Sequence, residues 1–212
     1  NERAVHICLI VYDLIPSAYF VNLPLMISVS IISARLSVKH GNSFNAAFSY
    51  AMMGIIYSGR FRNLHLAYRF NKVSLAIQEQ YPDLDVKARI NFLMANFVWH
   101  GVKPIEGHLP YLSTALHSAA ETGNLIWGNY AVAFSRTQSL FFSTKNAAEA
   151  LKENIDYYDF HVKRRDREVI LNQNYLIRLL EELMGERSDW QPATDFPFEV
   201  QQYQHEMTSP GN

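Results

Sequence analysis

One cysteine, Cys8, stands in the 212 residues of this chain. A single thiol excludes an internal disulfide and every zinc site that needs two or more cysteines, and it suits a reducing compartment, read here as the cytoplasm. Net charge is also small. Nineteen Lys and Arg against twenty Asp and Glu leave −1, so no whole-molecule field draws in nucleic acid or an anionic membrane. Glycine and proline number nine and eight, and Gly54, Gly59 and Gly101 stand singly rather than in a phosphate-cradling loop. Long apolar runs are few. Val5 to Tyr12 runs straight into Asp13 without a small-residue cleavage site, which argues against a signal peptide. Ala18 to Val38 has one charge, Arg35, but Asn22, Pro24, Ser28, Ser30 and Ser33 make it a buried helix rather than a membrane span. No insertion into a membrane is expected.

What is there is apolar and helical. With 49% hydrophobic residues the chain is too apolar for disorder and long enough to bury a real core. Phe44, Ala47, Phe48, Ala51, Met52 and Ile55 recur at helical spacing behind Asn42 or Ser43 as a cap. Leu66, Phe70, Val73 and Ile77 form the next stripe, stopped at Tyr81-Pro82. Val86, Ile90, Leu93 and Phe97 make a third. Ile105, Leu109, Leu112 and Leu116 predict a helix from Pro104 to Thr122-Gly123, kinked at Pro110. Ile126, Tyr130, Ala133, Thr137 and Phe141 follow. Ala147, Leu151, Ile155 and Tyr158 stand behind Asn146, with Glu149 placed for a capping box. Val169, Leu176, Leu180 and Leu183 carry the last helix, which ends at Gly185. Strand alternation and Asn-Gly hairpin signals are missing.

The stripes repeat with a step of about 42 residues. Tyr50, Phe92 and Phe134 share it, as do Tyr57, Trp99 and Phe141, then Phe48, Ile90 and Val132, and Ile56, Val98 and Leu140. Gly59, Gly101 and Ser143 mark the bend between the two helices of each copy, and Ala67, Leu109 and Leu151 keep register in the second helix. The same step reaches back to Cys8 and Ile15 and forward to Leu176 and Leu183. Core positions that recur while surface residues drift are the mark of a helical solenoid, whose helix pairs hide their apolar faces only by stacking. The expected fold is therefore all-α: a right-handed superhelix of about four helix pairs over residues 1–185, with 186–212 as a linker or capping tail. The start at Asn1 and the end at Ser209-Pro210-Gly211-Asn212 suggest a piece of a longer chain.

Tyr50, Met53, Gly54 and Tyr57, followed by Leu66 and Phe70, match the local signature of a tetratricopeptide repeat. Asn96 and Gln138 replace the glycine in later copies, Leu66 is not small, and the period exceeds that repeat's usual length, so the units read as elongated relatives. The stretch from His40-Gly41-Asn42-Ser43 through Ala46, Ala47, Tyr50, Gly54 and Gly59 resembles the helical-repeat region of very large signalling proteins. So do Ala67-Tyr68-Arg69-Phe70 and Glu121-Thr122-Gly123-Asn124-Leu125. In those proteins the region follows an NTPase module of the AAA/STAND kind, with a serine/threonine-kinase-like domain upstream and GAF, histidine-kinase or diguanylate-cyclase modules downstream. The resemblance spans roughly residues 15 to 185. It implies a regulatory, non-catalytic region of a sensor kinase or related regulator. The alternatives are a stand-alone repeat adaptor and the sensor region of a STAND-type transcriptional regulator, with a helical-bundle enzyme as the rival of a different class.

Catalytic motifs are scarce. His100, His108 and His117 are the closest histidine grouping, but no HExxH or Glu-x-x-His pair accompanies them, so no metal is expected. No serine sits in a nucleophile elbow, and no cofactor is implied. Cys8 holds a core-facing repeat position and reads as an inert buried thiol. Lys163-Arg164-Arg165-Asp166-Arg167 is read as a solvated helix junction. The function expected is contact with a protein partner or with flanking domains, through the concave face that the first helix of each pair lines. Tyr50, Arg89, Asn96, Asn129, Tyr130 and Arg136 are the candidate contact residues.

Overall fold

The computed structural model describes residues 2–131, 146–164 and 167–185, and among them every element is helical. In chain order these are α1 (Glu2–Val21), α2 (Leu23–His40), α3 (Phe44–Gly59), α4 (Leu64–Gln80), α5 (Leu84–Phe97), two short 3-10 turns (Trp99–Gly101 and Ile105–His108), α6 (Leu109–Thr122), α7 (helical at 125–131), α8 (Ala147–Arg164) and α9 (Arg167–Leu183).

Local chemistry sets the boundaries. Asn22 closes α1 through its N–H to the Ala18 carbonyl and opens α2 by accepting from the Leu25 N–H at 3.0 Å, with Pro24 in the first turn. The expected single helix from Ala18 to Val38 is therefore two. An Asn that caps and a Pro that can start a helix but not continue one outweigh the apolar run. α1 on its own is long and apolar enough to cross a membrane by length and composition, with a third of that stretch buried inside the fold. The expected kink at Pro110 is also absent. A 3-10 turn at Ile105–His108 precedes α6, and Pro110 falls in the first turn of α6, where its missing N–H has no carbonyl to serve. Asn63 and Asp83 cap α4 and α5, and Asn146 accepts from the Glu149 N–H at the start of α8. Gly123 ends α6 in the left-handed conformation at φ 69°.

Helices pack mostly on their chain neighbours: α1 on α2, α3 on α4, α5 on α6, α8 on α9. In addition α1 packs on α3, α3 on α5, α2 on α3 and α4 on α5. The directions follow from named contacts. Ser58, near the end of α3, donates to the Phe97 carbonyl at the end of α5, 2.7 Å away, so α3 and α5 run parallel. Cys8 of α1 points its thiol at the Ser33 carbonyl of α2, and the Ser33 hydroxyl meets Ser49 of α3 at 2.6 Å, so α2 returns antiparallel between two parallel neighbours. Ile15, Met26, Phe48, Ile90 and Leu112 lie at the centre of the main core. Ala150, Leu151, Leu176 and Leu180 form a separate buried cluster between α8 and α9.

Several stripes differ from expectation. In α4 the buried residues are Ala67, Asn71, Ser74, Ile77 and Gln78, while Val73 is exposed. The cause is the closeness of α3 and α4. A Cβ on Gly54 would stand 1.8 Å from Asn71 Nδ2 and 3.0 Å from the Ala67 carbonyl oxygen, so only small side chains and amides folded onto their own helix fit the seam. Asn71 donates to the Ala67 carbonyl, and Ser74 donates across to the Ala47 carbonyl at 2.6 Å. In α7 Trp127, Tyr130 and Ala131 turn to the core while Ile126 is exposed. Ile155 of α8 is exposed as well, its place inside taken by Asn154, which bonds Gln173 of α9.

Candidate functional site

The densest polar arrangement on the first helices centres on Arg89. Asp83 caps α5, which fixes Asp85 in the first helical turn and puts Arg89 one turn on, on the same face. Arg89 Nη2 lies 2.8 Å from Asp85 Oδ2, with the side chains 12% and 28% exposed. The guanidinium lies 4.1 Å from the centre of the Tyr12 ring, 5.6 Å from Phe48 and 5.6 Å from Trp127. Such a cation among aromatic faces is held by ring quadrupoles as well as by its counter-ion. Asp85 also accepts from the Tyr12 hydroxyl and from Asn124 Nδ2. Asn124 Oδ1 in turn accepts from the Trp127 N–H and so caps α7. The cluster ties α1, α3, α5 and α7 together through two charges that neutralise each other. Among the described residues Arg89 Nε has no acceptor.

Burial pushes the Tyr12 phenol far above its ordinary range. The Arg89 charge works against that rise, and the hydrogen bond and charge of Asp85 add to it. The phenol therefore stays protonated at neutral pH and acts as a fixed donor rather than as a base.

The six residues expected at a contact face are distributed unevenly. Arg89 sits inside the aromatic cluster. Tyr130, half-buried, touches the same cluster through ring contacts with Phe92 at 5.9 Å and Trp127 at 6.2 Å. Asn129 is buried. Tyr50 is half-buried on α3 and stacks on Phe70 of α4 at 6.3 Å, apart from the Arg89 group. Asn96 is half-buried near the end of α5, its amide donating to the Phe92 carbonyl at 3.2 Å. Arg136 lies outside the described residues, as do Phe134, Phe141 and the tail from 186. Tyr12, Phe48, Asp85, Asn124 and Trp127 complete the cluster and were not expected there. The Asp85–Arg89 spacing of four is the one sequence signal that points to it.

His100 and His117 are exposed and His108 is buried. His117 Nε2 lies 3.0 Å from Glu121 on the exposed face of α6. Among the described residues no three His, Cys, Asp or Glu side chains converge in metal-binding geometry. Cys8 is buried in the core. Comparison of the chain with protein-family models, with curated proteins and with solved structures finds no match.

Proposed function

We propose that this chain is a non-catalytic interaction scaffold, a tetratricopeptide-like right-handed superhelix whose first helices offer one continuous face to a protein partner or to a neighbouring domain. One observation carries the reading. α1, α3, α5 and the start of α7 are joined sideways by the Tyr12–Asp85–Arg89–Trp127 cluster, and α3 and α5 run parallel. Helices fixed to one another in this way present side chains at constant spacing, which recognition of an extended peptide or a partner helix requires. Half-buried Tyr50 on α3, Asn96 on α5 and Tyr130 on α7 are the contact residues assigned to the first helices.

The Gly54 seam, in which α4 lies close against α3, supports the kinship with tetratricopeptide pairs. The resemblance of residues 40–59 to repeat regions of multidomain sensor kinases and NTPase-linked regulators supports a relay role in signalling, in the cytoplasm. The test is affinity capture with the intact chain. A partner or flanking domain should be retained by the native sequence and by His117→Glu on α6, and released by Tyr50→Ser together with Asn96→Lys. Equal retention by all three would refute the first-helix face, and turnover of a small substrate by the purified chain would refute the non-catalytic reading.

A further inference from the structure

Charge is segregated along this chain although its net value is close to zero. From Leu14 to Gln78 no Asp or Glu occurs, while Arg35, Lys39, Arg60, Arg62, Arg69 and Lys72 do. The rest of the chain holds thirteen basic residues against twenty acidic ones.

The fold gathers part of this basic segment at one end. Because α1, α3 and α5 run parallel, the turns that follow them lie at the same end: the α1–α2 turn at Asn22, the α3–α4 turn at 60–63 and the segment at 98–104 after α5. Leu64, at the start of α4, would meet a Cβ on Gly101 at 2.6 Å, which places the second and third turns side by side. The side chains here are apolar and uncovered. Phe20 is 73% exposed, Val21 87% and Phe61 63%, and Leu23 and Leu25 are exposed too. Arg60, Arg62, His65, His100 and Lys103 are exposed among them, and the three turns contain no acidic residue.

We infer that this end of the molecule docks on an anionic phospholipid surface, with Phe20, Val21, Leu23 and Phe61 entering the headgroup boundary and Arg60, Arg62 and Lys103 meeting lipid phosphates. Shallow apolar insertion and basic attraction are each weak alone and sufficient together. Val21 and Leu23, the aliphatic pair among the inserting side chains, have no counterpart on a nucleic-acid backbone, and their basic neighbours would cost desolvation in an apolar protein interface. The surface is separate from the first-helix face, so its fate does not decide the scaffold reading.

The experiment is co-sedimentation of the chain with phosphatidylcholine vesicles, with and without phosphatidylserine. Binding should require phosphatidylserine and weaken with salt. Each basic residue near such a surface contributes roughly fivefold in partition, so Arg60→Glu with Arg62→Glu should lose roughly twenty-five-fold or more. Val21→Ser with Phe61→Ser should lose on the order of tenfold with charge unchanged. These positions are exposed, so circular dichroism and melting should stay as in the native chain. Lys39→Glu, at the opposite end, should bind like the native chain. Binding to neutral vesicles alone, no binding to any vesicle, an equal loss with Lys39→Glu, or capture of an oligonucleotide but not of vesicles would overturn the assignment.

Discussion

Arg89 has three aromatic faces and one carboxylate around it, and its removal would leave Asp85 with Tyr12 and Asn124 but no cation. Replacing it by Met keeps much of the volume and removes the charge. Breaking a pair of this kind costs several kcal/mol when fully buried. With Asp85 28% exposed, the expected loss is about 2 kcal/mol, a fall in Tm of roughly 4–8 °C by calorimetry. Tyr12 adds a pH dependence whose sign is fixed. Its folded-state pKa is raised above the ordinary value of 10.0, so above pH 10 the unfolded chain loses a proton that the folded chain keeps. Stability contributed by the neutral phenol is complete below pH 10 and falls as pH rises past it. Urea titrations at pH 9 and at pH 11 should show the native chain weakening, and Tyr12→Phe should flatten that slope.

At the scale of helices, the α3–α4 seam makes a sharper demand than apolarity does. Gly54→Ala forces its methyl into Asn71 and the Ala67 carbonyl, so it should destabilise by about 1–3 kcal/mol. Val73→Ser, on the exposed side of α4, should stay within about 0.5 kcal/mol. Thermal melts of the two variants check both. The same seam shows how far the sequence could be read. Strong large-residue stripes such as Val86, Ile90 and Leu93 name their buried face directly. α4 buries Asn71, Ser74 and Gln78 instead; Asn71 Nδ2 and the Ser74 hydroxyl donate to the Ala67 and Ala47 carbonyls in a gap too narrow for Val. A hydropathy stripe cannot show that choice. Asn22 and Pro110 misled for a related reason: their capping positions depend on where the helix starts, which periodicity leaves open by a turn. The Arg89 cluster was half legible. Asp85 and Arg89 are one helical turn apart, but the 42-residue step maps Tyr12 onto Gly54 and Asn96, so nothing in the repeat announces an aromatic residue there.

At the scale of the molecule, two polar regions of the described residues contrast. The paired charge of Asp85 and Arg89 is spent on fixing parallel helices to one another, whereas the basic side chains of the α3–α4 turn, Arg60 and Arg62, are exposed with Phe61. In the scaffold reading, the Asp85–Arg89 pair supplies rigidity and recognition falls to half-buried aromatic and amide groups. The central claim is that the first helices form the face that meets a protein partner. Its most direct test is site-specific photo-crosslinking in cells, with the reactive residue placed in turn at Asn96 on α5 and at His117 on α6. The scaffold account predicts one recurrent protein adduct, or a crosslink to another part of the same polypeptide, from position 96 and none from position 117. Adducts from position 117 alone, or from neither position, would contradict it.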